Sequence, residues 1–241
     1  MLKKAHISKI KAGDEEWFMG RLGKFTSSEV HLICKPEGIG KGGRSYIRRK
    51  VGEEMTGRPA KDDIDVPATR HGLLHERDML IKFGKKMGLD FLVLQQLITI
   101  PGTRYGSTPD ALIVTRESPD GTEYEVETVE GKCPITYDAY IALFECDTPQ
   151  QLKETMKDYY WQVLDQMDNC GASRAHFVIY HPDFKAGNHK SIILDRREPV
   201  LTPKGKVFAI NDDLKFLQKR KLEAVGIFEE IRSKLMMVPP L

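Results

Sequence analysis

The chain has 241 residues, 40% hydrophobic and 30% charged, which is enough apolar material for a sizeable core and excludes global disorder. No apolar run approaches the roughly 20 residues of a membrane span, and the opening MLKKAHISKIKAG lacks the apolar centre of a secretory signal, so a reducing cytoplasm is the expected compartment. Net charge is only +2, but residues 1–50 carry 12 Lys/Arg against 5 Asp/Glu, residues 51–150 carry 10 against 18, and the last 91 carry 15 against 12.

A basic segment ahead of an acidic centre suits a protein that holds a polyanion while keeping carboxylates for a cation. The four cysteines, Cys34, Cys133, Cys146 and Cys170, show no CxxC or CxxH spacing. They read as free thiols and argue against zinc or an iron–sulfur cluster.

In chain order, DEEWFMGRLGKFTSSEVHLI (14–33) reads as two short helices, the second capped by the TSS triplet. The glycine-rich PEGIGKGG (36–43) reads as a flexible basic loop near a nucleic-acid backbone, ahead of a basic amphipathic helix over 45–57. Its near match to a phosphate-binding loop has Arg44 where lysine is required, and its GxGxxG spacing lacks a surrounding βαβ unit. A longer helix is expected over 68–88, then strands over 91–100, 107–116 and 123–134, with ESPDGT (117–122) as a turn. A helix over 148–171 closing on Gly171, strands over 174–182 and 190–198, and a terminal amphipathic helix through Leu214, Leu217, Val225, Phe228, Ile231 and Leu235 complete the chain. No repeat or low-complexity linker divides it. The reading is one α+β domain spanning 1–241, a mixed sheet flanked by helices, with a helical basic part to residue 90 and the sheet beyond it.

The chemistry gathers at EYEVETVEGKCP, where two-residue alternation puts Glu130 and Lys132 on one face with Tyr124, Val126 and Thr128. Asp110, in STPDALIV, starts the strand that would pair with this one, so a hairpin brings the Asp110 and Glu130 carboxylates to one sheet end. With the Gly131 carbonyl they form an oxygen set suited to Mg2+, for which Mn2+ can substitute. Lys132 can orient or deprotonate an attacking water or offset developing negative charge. The pattern therefore points to metal-dependent phosphodiester hydrolysis, against the plainer reading of a strand-end ion pair. Glu76 falls within the apolar stripe Leu73, Leu80, Phe83, Met87 of the long helix, either as an active-site carboxylate or as one half of a salt bridge. A second Pro-Asp with a lysine two residues on, Asp183 and Lys185, has no partner carboxylate strand and reads as a turn.

Five segments in this order resemble the phage lambda exonuclease family of the PD-(D/E)xK nuclease superfamily: RLGKFTSSEVH, HGLLHERD, STPDAL, VEGKCP and DYYWQVLDQM. The similarity runs to about residue 180; Thr108 replaces the family's usual serine, and Ala111 the glycine that usually follows the aspartate. The resemblance implies a restriction-endonuclease-like core. It implies magnesium on Asp110, Glu130 and the Gly131 carbonyl, Lys132 at the nucleophile, and Glu76 and Gln162 joining from their helices. Arg21, Ser28 and Thr108 would hold the 5′-phosphate of the strand being digested. The residues alone leave Gln162 on a polar helix seam whose plainer reading is a solvated face. The implied activity is 5′→3′ digestion of one strand of linear double-stranded DNA by a ring-shaped homotrimer that works with a single-strand annealing protein. A restriction-type endonuclease and a non-catalytic DNA-binding scaffold are the alternatives.

Overall fold

The computed structural model describes residues 1–60, 67–89, 93–201, 205 and 207–237. Strands β1 (Leu2–Lys3) and β2 (Ile7–Lys11) lead into helix α1 (Glu15–Arg21), strand β3 (Phe25–Thr26) and a 3-10 segment over Ser27–Leu32. Helices α2 (Lys41–Thr56) and α3 (Pro67–Met87) precede strands β4 (Val93–Leu94), β5 (Gln96–Thr99), β6 (Tyr105–Ser107), β7 (Ala111–Glu117) and β8 (Glu123–Lys132). Helices α4 (Tyr137–Phe144), α5 (Pro149–Thr155) and α6 (Lys157–Cys170) then lead to β9 (Arg174–Tyr180), β10 (His189–Asp195), β11 (Val200–Leu201), β12 (Val207–Phe208) and helix α7 (Ile210–Met236).

The central sheet runs β10-β9-β8-β7-β4, and β1 pairs with the start of β8. β7 and β8 form the expected antiparallel hairpin, whereas β8 and β9 are parallel, which requires the long crossover that α4 to α6 supply. A second sheet, β2-β5-β6-β3, stands beside it. The pleat sorts side chains between the two faces: Leu112, Val126, Phe177 and Ile179 enter the main core with Tyr160 and Leu164 of α6, while Ile113, Val129 and Val178 meet Met79 and Phe83 of α3. Each such fully buried chain contributes about 1.5–3 kcal/mol, so both faces hold the sheet in place.

Several local expectations give way to packing. The span 91–100 is two short strands, because the chain leaves the central sheet after β4 and joins the second sheet at β5; residues 91 and 92 lie outside those described. The helix expected over 148–171 breaks at Met156 (ψ 72°); Thr148 and Gln151 form a capping box for its first half, and Gly171, with φ +61°, ends the second. The second N-terminal helix is a 3-10 segment whose N-cap Thr26 makes no side-chain capping bond. Helix α4, capped by the Thr136 hydroxyl, was not apparent in the apolar run that forms it. On α3, Met79 and Phe83 are buried, but Leu73 is 65% and Met87 43% exposed, because only the middle of the helix packs against the sheet; Glu76 is half-buried at the stripe's edge. The glycine segment is no loose loop: Ile39 enters the core, and Gly43 sits within α2, where a Cβ would lie 2.7 Å from the Leu32 carbonyl oxygen.

Candidate active site

The β7–β8 register pairs Ala111 with Val129, which sets Asp110 opposite Glu130 at one end of the hairpin. The Gly131 N–H donates to Asp110 Oδ2 at 2.7 Å and ties the two strand ends together. Glu130 is 3% exposed. Its Oε1 accepts from Lys132 Nζ and from Gln162 Nε2, each at 2.5 Å, and its Oε2 accepts from Gln166 Nε2 at 2.7 Å. These donors satisfy a buried carboxylate that would otherwise be costly. The Lys132 ammonium also lies 5.0 Å from the centre of the Tyr159 ring. Glu76 faces the same space from α3, and its Oε1 accepts from Gln95 Nε2. A cavity of about 360 Å3 is bounded by Glu76, Met79, Asp110, Gly131, Lys132 and Tyr159, among others.

Charge is unbalanced here. Burial, reinforced by the Glu130 and Glu76 charges, raises the Asp110 carboxyl well above the usual range. Burial also raises Glu76, with Glu130 adding to it and the Gln95 hydrogen bond opposing it. For Lys132, burial pulls downward, but the Glu130 and Asp110 carboxylates outweigh it and hold the ammonium above the ordinary lysine value. Burial pushes the neighbouring Cys133 thiol up to about 12, so it is no nucleophile at neutral pH. Three carboxylates converging with one ammonium fit a divalent cation, which would relieve their mutual repulsion. Among the described residues no three His, Cys, Asp or Glu side chains are placed to hold a metal ion together, so Glu76 does not join Asp110 and Glu130 as a third ligand here. Asp110 and Glu130 would therefore need a backbone carbonyl and water to complete the shell, as magnesium commonly does.

A smaller pocket, about 170 Å3, opens on the far side of Gln162 and is bounded by Trp17, Arg21, Ser28, Thr108, Gln162 and Gln166, with Thr26, Ser27, Gly106 and Ser107. The Arg21 guanidinium stacks 3.9 Å from the centre of the Trp17 ring, and Trp17 Nε1 donates to Thr108 Oγ1 at 3.0 Å. Cation, hydroxyls and amides thus line a space of anion-binding character. Arg21 and Ser28, close in sequence, meet the distant Thr108 there. Gln162 lines this pocket and also donates to Glu130, and is not the solvated residue its helix seam suggested.

Sequence reasoning missed three contributors. Gln166 lies one turn after Gln162 on α6, and that i, i+4 spacing was a usable signal. Gln95 had no signal. Behind the smaller pocket, Asp165 is fully buried: Oδ2 accepts from Ser27 Oγ at 2.7 Å and Asn169 Nδ2 at 2.9 Å, and Oδ1 lies 2.8 Å from Lys221 Nζ on α7. Asp183 lies in a turn and accepts from the Tyr137 hydroxyl at 3.0 Å, as its sequence context suggested. All four cysteines are free and buried.

The family model described as YqaJ-like viral recombinase domain matches residues 16–173. No curated protein matches the sequence. Among solved structures, the chain is similar to LHK-Exo, an alkaline exonuclease from Laribacter hongkongensis, with TM-score 0.64 and 18% identity over 92% of this chain and 98% of that one. LHK-Exo in complex with dAMP gives TM-score 0.65 and 19% identity over the same shares of the two chains. A phage-related exonuclease from Haemophilus somnus 129PT gives TM-score 0.62 and 13% identity over 88% of this chain and 96% of that one. At these identities the structures speak for the shared PD-(D/E)xK-type fold. The family match covers most of the chain, from α1 through the β7–β8 hairpin to the end of α6, and with it the protein belongs to the YqaJ-like viral recombinase family, the lambda exonuclease family.

Proposed function

We propose that the protein is a magnesium-dependent exonuclease that digests one strand of linear double-stranded DNA in the 5′→3′ direction and leaves 3′ single-stranded overhangs for recombination by strand annealing. The observation that carries this reading is the meeting of Asp110, Glu130, Gly131 and Lys132 at the hairpin end, one glutamine away from a pocket of anion-binding character. LHK-Exo has been captured with dAMP, a nucleotide of the kind stepwise digestion releases, and this supports the assignment.

Asp110, Glu130 and the Gly131 carbonyl would hold Mg2+, or Mn2+ in its place. Bound there, the cation would make water a stronger nucleophile and stabilise charge on the leaving oxygen. The chain's own groups do the rest. Lys132, kept as an ammonium by its carboxylate neighbours, would orient the attacking water by donating to it and keep compensating positive charge beside it. Gln162 and Gln166 fix both Glu130 oxygens, so that carboxylate is oriented before substrate arrives. Arg21, Ser28 and Thr108 hold the terminal 5′-phosphate and set the reacting bond one position from the end. The wider assignment is a single catalytic domain acting as a homotrimer in the cytoplasm of a bacterial host, beside a single-strand annealing protein.

The test is a time course on linear duplex labelled separately at each end, with magnesium, run beside a closed circular duplex. Loss of the 5′-terminal nucleotide first, with the circle intact, is the expected outcome. Cleavage of the circle would move the assignment to a restriction-type endonuclease, and no cleavage of either to a binding scaffold.

A further inference from the structure

Among the described residues, Gln95 is the one non-glycine residue with positive φ, at +46°. A side chain beyond Cβ is disfavoured in that region, where glycine or asparagine would sit at lower cost. Such outliers persist where surrounding structure holds them and often mark working sites. Gln95 stands between β4 and β5, at the point where the chain leaves the central sheet for the second one. Its backbone is fixed on both sides: the N–H donates to the Asp110 carbonyl at 3.1 Å, and the carbonyl accepts from the Ala12 N–H at 3.1 Å. Its amide Nε2 donates to Glu76 Oε1.

Gln95 therefore joins the backbone of Asp110 to the carboxylate of Glu76. These two groups approach the cavity from different elements, and no other hydrogen bond among those described reaches the Glu76 carboxylate. A glycine could make the turn but could not reach Glu76, and an asparagine is one methylene shorter. Among the described residues no cation pairs directly with Glu76; Glu130 repels it, and Lys132 attracts it without touching it. Without the amide, its side chain is free to swing into the neighbouring cavity of about 700 Å3, which Glu76 and Gln95 both line and where Arg77 and Lys85 offer positive charge beside Leu80 and Leu94.

We infer that Gln95 is a positioning residue of the active site: its left-handed backbone is retained so that its amide, registered on Asp110, aims the Glu76 carboxylate into the catalytic cavity. The inference rests on the nuclease reading and goes beyond it by assigning a role to the crossover between the two sheets.

The test compares full-length wild type with Gln95→Gly, Gln95→Glu and Glu76→Leu, measuring kcat and KM on linear duplex with magnesium and thermal unfolding for each. Gln95→Gly relieves the backbone and removes the amide, so it is expected to unfold no lower than wild type while kcat falls about ten- to a hundredfold at unchanged KM. Gln95→Glu keeps the length but places an acid where the amide donated, so it is expected to lose at least as much rate. In a Glu76→Leu background, Gln95→Gly should change kcat no further, as two residues acting as one unit require. A purely structural crossover residue predicts the reverse: stability changes with kcat per folded molecule retained. If wild type digests DNA and Gln95→Gly does so equally well, this inference alone is overturned. If wild type cuts no DNA, the nuclease reading fails and the inference with it.

Discussion

Two buried charged clusters lie on opposite sides of the Gln162–Gln166 face of α6, built from the same kinds of residue to opposite ends. In the first, Lys221, 6% exposed, lies 2.8 Å from Asp165 and 2.7 Å from Asp168 and donates to Asn169 Oδ1 at 2.8 Å, while Ser27 and Asn169 fill the remaining Asp165 oxygen. Burial pulls the Lys221 ammonium down, but the two aspartates outweigh it and hold it above the usual value. In the second cluster, Lys132 alone faces Glu130, Asp110 and Glu76, and two of these carboxyls are pushed up. The first is a finished ion network that fixes α7 to α6 and to the segment carrying Ser28. In the first, both aspartates touch the ammonium; in the second, only Glu130 does, and the Asp110 and Glu76 carboxyls have no direct cation contact among the described residues, which marks a place prepared for a ligand.

The sharpest way to break this contrast is to remove members of the second cluster. Asp110→Asn, Glu130→Gln or Lys132→Ala should each lower DNA hydrolysis by about 10²–10³-fold or more while the proteins still fold. Cleavage near the wild-type rate by any of them, measured on protein with native circular dichroism, would contradict the assignment. The first cluster should answer in the other currency. Lys221→Met strands the buried Asp165 carboxylate and leaves the half-buried Asp168 without its cation, and should cost about 3–5 kcal/mol in denaturant unfolding, with the rate per folded molecule retained. A variant that is stable but inactive would erase the distinction between the clusters.

Glu76→Leu tests a carboxyl without a direct cation contact. In chelator it should be as stable as wild type or more stable by about 1–3 kcal/mol, yet lose most activity. The sign of the pH dependence follows from the raised carboxyls. Asp110 and Glu76 hold their protons to higher pH in the folded than in the unfolded chain. In chelator their contribution to stability therefore falls as pH rises from the ordinary carboxylate range through the raised folded values. Thermal unfolding against pH should show that fall in wild type, less of it in Glu76→Leu, and less again with magnesium, which stabilises the charged forms. A flat wild-type profile in chelator would argue for a wetter, balanced site. The smallest effect belongs to the smaller pocket: Arg21→Ala should reduce the preference for 5′-phosphorylated over 5′-hydroxyl ends by about tenfold, read from initial rates. An unchanged preference would remove Arg21 from end recognition.

The β7–β8 hairpin was legible because alternation in EYEVETVEGKCP and the turn ESPDGT are local signals, although the register shift between Val114 and Arg116 left no mark in them. Met156 and Gln95 were not legible, since a helix break and a sheet-to-sheet crossover are decided by what each segment packs against. Residue type alone also misjudged the buried stripe of α3, because Leu73 and Met87 extend past the part of the helix that meets the sheet. Arg21, Ser28 and Thr108 were grouped by resemblance to a family rather than by any spacing. Asp165 and Lys221 escaped because 56 positions separate them and neither stands in a recognisable motif.

Gly131 does more than sit between Glu130 and Lys132. A Cβ built there would lie 1.7 Å from Met79 Cε, so the thioether occupies the volume that a side chain at 131 would need. A side chain at 131 must therefore push the flexible end of Met79 aside, and because Met79 is fully buried the displaced thioether has to find room beside the sheet or be exchanged for a shorter residue. Across homologous sequences a side chain at 131 should go with a smaller residue at 79.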